Sequence, residues 1–147
     1  MADGRFDDRQ IQWSRIDGIA HLEYTVLSID PPRQTADVLF RFAANEQIVL
    51  HRHLALNHTF VVQGEHRLYE PDGRLKEVRP TGSYTISPPN PQPHREGGGA
   101  EDVIVLFSIR GSDGLLYELL DDAQNIIGTL TMQDLTALHA AKNGGSR

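Results

Sequence analysis

From Asp37 to Thr129 the chain is a succession of short apolar or β-branched runs, each closed by turn-forming residues. A helix needs an apolar period near 3.6 held over ten or more residues. These runs are too short and alternate too regularly for that, so they read as strands. Asp37-Val-Leu-Phe-Arg-Phe-Ala43 puts Val38, Phe40 and Phe42 on one face. Gln47 to His53 puts Val49, His51 and His53 on one face and Ile48, Leu50 and Arg52 on the other. Thr59 to Gln63 is stopped by Gly64, and Glu65 to Glu70 with Arg74 to Arg79 reads as a hairpin turning at Pro71-Asp72-Gly73. Ser83 to Ile86 ends at Pro88-Pro89. Asp102 to Ile109 is the most apolar stretch and reads as a central strand. Leu115 to Leu120 and Asn125 to Thr129 form a further pair around Asp121-Asp122.

Only the end reads as helical. Thr131 and Asp134 make a capping arrangement, Leu135 and Leu138 an apolar stripe, and Gly144 a stop. The expected architecture is all-β, a barrel with a short C-terminal helix, in a single domain spanning residues 1–147. Residues 1–10 and 142–147 read as disordered from their composition.

Composition removes several classes of function. The formal charge of −6 argues against nucleic acid or an anionic membrane as partner. With no cysteine, disulfides, thiolate nucleophiles and cysteine-bound metals are excluded. No run approaches the roughly 20 apolar residues of a membrane span, and the acidic start is unlike a signal peptide, so a cytoplasmic protein is expected.

Chemistry concentrates in histidine. On a strand, His51-Arg-His53 puts both imidazoles on the same side, and imidazole is the commonest protein ligand for zinc, iron, copper and nickel. Gly82 to His94 reads as a strand ending in a rigid proline turn that delivers a third imidazole. His51, His53 and His94 are therefore the candidate metal ligands.

These two stretches resemble the paired motifs of the cupin superfamily. His51 to Gly64 has two histidines, a spacer, an apolar strand and a glycine; Gly82 to His94 has a glycine, five residues, a proline, a turn and a last histidine. Where most cupins carry a metal-binding glutamate this chain has Asn57, followed by His58. In the second motif Asn90 replaces the usual glycine, and one extra residue precedes His94. The all-histidine version looks like the branch of acetylacetone dioxygenase and dihydroxyacetophenone dioxygenase. Trp13, Val38 to Ala43, Leu116-Tyr117 and Ile126-Ile-Gly128 extend the likeness. The resemblance implies a cupin jelly roll and a three-histidine divalent metal, iron(II) first, with zinc, nickel or manganese as alternatives. It also implies a homodimer and a reaction in which dioxygen cleaves a carbon–carbon bond of a small β-diketone or hydroxyketone bound as its enolate. A non-catalytic cupin that binds or senses a small molecule, with zinc as a structural or recognition ion, is the reading from another class.

Other residues weigh less. Asn57 and His58 are adjacent on a strand, so at most one faces the metal. Motif position favours Asn57, whose amide suits hydrogen bonding to water or substrate, while His58 shares the parity of Phe60 and Val62 and reads as a core or supporting histidine. Glu70 is a candidate carboxylate behind the ligands, against its reading as a turn residue. Glu96 reads as solvated beside Gly97-Gly-Gly99, itself read as a loop, with a flap over the mouth as the other reading. His21 and His139 read as solvated, and the weight is against His66 lining the site. Three neutral imidazoles would leave a divalent ion its full charge, favouring an anionic oxygen ligand. Phe40, Phe42, Phe60, Tyr84 and Phe107 are the candidate lining of a dry pocket.

Overall fold

The computed structural model describes residues 6–111 and 113–145. The strands are β1 (Leu22–Asp30), β2 (Thr35–Phe42), β3 (His51–His53), β4 (Leu56–Gln63), β5 (His66–Tyr69), β6 (Leu75–Arg79), β7 (Tyr84–Ser87), β8 (Arg95–Gly98), β9 (Val103–Arg110), β10 (Leu115–Leu120) and β11 (Ile126–Thr131). A single 3-10 turn, Pro31–Arg33, joins β1 to β2, and helix α1 (Met132–Gly145) closes the chain. The all-β class with one C-terminal helix is the class found.

Alternation builds the larger sheet. Its order is β1-β2-β9-β4-β7, all antiparallel. Val38, Phe40 and Phe42 of β2 lie opposite Phe107, Val105 and Val103 of β9, so six apolar side chains share one face. All six are buried, and each contributes about 1.5–3 kcal/mol. The apolar stretch from Asp102 to Ile109 does run centrally, between β2 and β4.

The other strands form two three-stranded sheets, β11-β10-β3 and β6-β5-β8. A backbone ladder joins them: His51 and His94 exchange both N–H···O bonds, at 3.1 and 2.9 Å, and Ile48 N–H donates to Glu96 O at 2.8 Å. This ladder sets the site, because it lays residues 94–98 directly beside residues 45–51. Helix α1 starts in the expected reciprocal cap, with Thr131 N–H donating to Asp134 Oδ2 and Asp134 N–H to Thr131 Oγ1. Leu135, fully buried, ties the helix to the core.

Several expectations are corrected. Strand β1 was not anticipated, although Leu22, Tyr24 and Val26 alternate along it. Residues 47–50 are not part of the regular strand, which is only His51–His53. The helix runs to Gly145, one residue past the expected stop. The glycine run is neither loop nor flap. Gly97 and Gly98 lie in β8, and a Cβ on Gly97 would stand 1.7 Å from the carbonyl oxygen of Glu46. Glycine is required there by the close approach of two backbones. Of the stretches expected to be disordered, residues 1–5 and 146–147 lie outside the described residues. Nearby, Asp8 pairs with Arg41 at 2.8 Å and Lys142 bonds the Gln12 carbonyl.

Candidate metal centre

His51 and His53 emerge from the same side of β3, and both are buried. Each ring is oriented by a carbonyl two residues away. His51 Nδ1–H donates to Val49 O at 2.8 Å and His53 Nδ1–H to Ala55 O at 3.1 Å. Committing Nδ1 as donor leaves Nε2 as the free lone pair, the arrangement in which metal-binding imidazoles are usually held.

The bridge to His51 brings His94 alongside. The ring centroids of His51 and His94 are 4.7 Å apart, and those of His53 and His94 are 5.9 Å apart. Two residues further along, on the same side of the chain, comes Glu96. Its Oε2 lies 2.6 Å from His51 Nε2 and 3.4 Å from His94 Nε2, while its Oε1 lies 2.8 Å from His66 Nε2. Far from being solvated, Glu96 is 5 % exposed. The possible metal site formed by His51, His94 and Glu96 has ligand atoms all within 4.8 Å of one another.

The titration behaviour follows from this packing. For Glu96, burial favours the neutral acid, but hydrogen bonds from His51, His66 and His94 outweigh it and hold the carboxyl well below its usual range. Burial opposes the charged form of His51 as well, yet the Glu96 bond and charge raise its value. His53 and His94 are lowered, chiefly by desolvation, and so are poised neutral. With Nδ1 of His51 already donating, Nε2 and Glu96 Oε2 are both acceptors unless a cation or a second proton lies between them. That donor set, one carboxylate with the Nε2 atoms of two imidazoles gathered around it, fits a divalent transition metal. A carboxylate at this position would offset one charge of a divalent ion, where three imidazoles alone would leave the full +2.

A cavity of about 350 Å³ opens over these groups. His51, His53, His94 and Glu96 line it together with Asn57, Thr59, Phe107 and Tyr117. Lys76, Glu77 and Arg79 stand in its outer part, Arg79 donating to Glu77 at 2.6 Å. The wall is more polar than the aromatic pocket expected. Phe107 contributes, but Phe40 and Phe42 face the adjoining apolar core, and Phe60 and Tyr84 are exposed. Parity along β4 is the reason: Asn57, Thr59 and Val61 point inward, which turns His58 and Phe60 outward.

The same parity decides between Asn57 and His58. Asn57 is buried, and its Nδ2 donates to Tyr117 Oη at 3.1 Å. His58 is not a core or supporting histidine; it bonds the Tyr84 hydroxyl on the outer face. Glu70 closes the β5–β6 turn, its N–H donating to Arg74 O at 2.8 Å, and is no part of the cavity wall. His66, fully buried, sits behind Glu96 and stacks on Phe42 at 5.3 Å. His21 is exposed and faces Glu46 at 3.5 Å, and His139 is half-buried on the helix. Sequence reasoning missed Glu96, His66 and Tyr117 as a group. Tyr117 is brought to the site by the pairing of β10 with β3, which sets it opposite His53.

A barrel that gathers histidines from two separate segments and a carboxylate at one cavity defines a cupin. Residues 2–112 match the ChrR cupin-like domain, and the chain belongs to that family. Among curated proteins none matches the chain in sequence. Solved structures of similar fold include an RmlC-like cupin protein from Ralstonia eutropha JMP134, at 20 % identity, TM-score 0.75, covering 97 % of this chain and 87 % of that one. An acetylacetone dioxygenase from Acinetobacter johnsonii aligns at 14 % identity, TM-score 0.70, covering 96 % and 93 %. A polyketide cyclase from Streptomyces resistomycificus aligns at 17 % identity, TM-score 0.57, covering 86 % and 83 %. At such identities the likeness is one of fold, and the named activities differ from one another.

Proposed function

We propose that this cupin is a metal-dependent dioxygenase that cleaves a carbon–carbon bond of a small β-diketone or hydroxyketone held as its enolate. The observation that carries the reading is the convergence of His51, His53 and His94 on one open cavity, with the first two rings fixed by carbonyls through Nδ1, which leaves the Nε2 lone pair as the ligand atom. His51 and His94 would hold the ion with Glu96, whose ligand atoms form one group with theirs, and His53, beside them in the cavity wall, would complete the set. A bound divalent metal, iron(II) first, would stabilise the negative charge of the enolate and supply the oxygen chemistry.

The chain's own groups prepare the site. Glu96 contacts His51 and His66 through its two oxygens, so the ligand wall cannot rotate without breaking these buried contacts. One carboxylate beside a divalent ion leaves a net positive charge, which still favours an anionic oxygen. Tyr117 stays a neutral phenol, because burial and the Glu96 charge raise its pKa, so it acts as a hydrogen-bond donor. The cavity volume suits a small ketone. In this reading the protein acts as a cytoplasmic homodimer on a small molecule and dioxygen; light scattering on the purified protein reports the assembly.

A second reading is favoured by Glu96 itself. A carboxylate among imidazoles suits tightly held zinc in a cupin that binds or senses a small molecule without turnover. Elemental analysis of protein purified without added metal, with an oxygen electrode and a panel of diketones and hydroxyketones, separates the two. Iron with oxygen uptake supports the dioxygenase; tightly held zinc with no uptake across the panel defeats it.

A further inference from the structure

One wall of the cavity carries hydrogen-bonding groups that the protein does not satisfy. Asn57 and Thr59 face inward from β4, two residues apart on one side of the strand, about 6.6 Å in strand rise. Both are 3 % exposed, and both line the cavity. Asn57 Oδ1 and Thr59 Oγ1 are buried with no hydrogen-bond partner. Buried polar atoms are nearly always paired, and an orphan of this kind costs about 1–3 kcal/mol unless something else binds it.

The contact between Asn57 and Tyr117 sharpens the chemistry. Asn57 Nδ2 donates to Tyr117 Oη, so the phenol proton and Asn57 Oδ1 are both left over. Turning the amide would exchange the roles: the phenol would donate to Oδ1, leaving an amide N–H and a phenol lone pair. Either way the pair leaves at least one donor and at least one acceptor in the cavity wall. An aprotic ketone or an enolate oxygen can engage only the donors and leaves the acceptor unpaired. A hydroxyl group engages both.

We infer that Asn57, Thr59 and Tyr117 form a hydroxyl-recognition subsite, which selects a hydroxy-carbonyl ligand over a simple β-diketone. The inference rests on the proposed function only in placing the carbonyl end of the ligand at the metal-binding group. It narrows the substrate class to the hydroxyketones. The polar outer part of the cavity, with Lys76, Glu77 and Arg79, is consistent with a hydroxylated ligand.

The test uses a matched pair, 2-hydroxyacetophenone and 2-methoxyacetophenone, which differ by one hydrogen-bond donor. Binding to the zinc-loaded full chain is measured by calorimetry, so that no turnover is required. The hydroxy compound is expected to bind about tenfold tighter or more. Asn57→Leu and Thr59→Val should each reduce that ratio severalfold, and the methoxy compound should bind each variant as it binds the parent. Thr59→Val is nearly isosteric, and a melting curve for each variant confirms folding. Equal binding of the two compounds, binding of neither, or a ratio unchanged in both variants overturns the inference. Oxygen uptake by the iron-loaded chain is measured separately. A hydroxyl preference without uptake keeps the subsite and removes the oxygenase, and uptake without the preference does the reverse.

Discussion

Glu96 Oε2 lies 2.6 Å from His51 Nε2 in the buried interior of the barrel. The contact joins residues 45 positions apart in the chain through the ladder that runs from His94 to Gly98. Four of the seven histidines, His51, His53, His66 and His94, are organised around this one carboxylate or the cavity it borders.

Replacing Glu96 tests its dual role. Glu96→Gln keeps the shape and removes the charge, and should lower metal affinity by about 10–100-fold, read by competition with a chelator. Glu96→Ala leaves His51 and His66 buried without their partner and should cost about 3–5 kcal/mol of stability, read by denaturant unfolding.

Gly97→Ala should be strongly destabilising, although it adds one methyl group. The new Cβ would meet Glu46 backbone atoms, the carbonyl oxygen at 1.7 Å, which a rigid strand pair cannot yield. A loss of about 3 kcal/mol or more is expected, with lost metal binding because Glu96 moves with β8.

How much of this was legible beforehand follows from the same residues. Alternation alone put His51 and His53 on one face and Asn57 opposite in parity to His58, since a pleated strand admits no other arrangement. Glu96 was not legible. Its segment, Arg95-Glu-Gly-Gly-Gly, has no apolar alternation, and its strand form comes from backbone pairing with residues 45–51 that lie far off in sequence. Phe60 and Tyr84 were misplaced because aromatic character suggests burial, whereas register decides it. The polar cavity wall belongs to the same lesson: which face of β4 turned inward depended on a partner strand.

The acid limb of stability should come partly from His53 and His94. Their folded-state values are lowered from 6.5, so their contribution is present above that value and lost as pH falls through the lowered ones. His51 acts oppositely: its raised value gives stability below 6.5 that fades as pH rises through it. In metal-free protein, His53→Gln should lose less stability than the parent between pH 8 and pH 5. Unfolding midpoints at the two pH values read the difference.

The helix cap gives an independent check on the fold. Thr131→Ala removes the side chain that accepts from Asp134 N–H and should cost about 1 kcal/mol, read as a lower melting temperature with metal binding unchanged.

The central claim is a metal held where His51, His94 and Glu96 converge beside His53. An anomalous-difference map from crystals of protein purified without chelators, recorded at the edge of the metal found by elemental analysis, tests it most directly. The expected result is one strong peak within about 2.0–2.3 Å of His51 Nε2 and His94 Nε2, on the cavity side. A map with no peak there, and Glu96 still bonded directly to His51, would contradict the account.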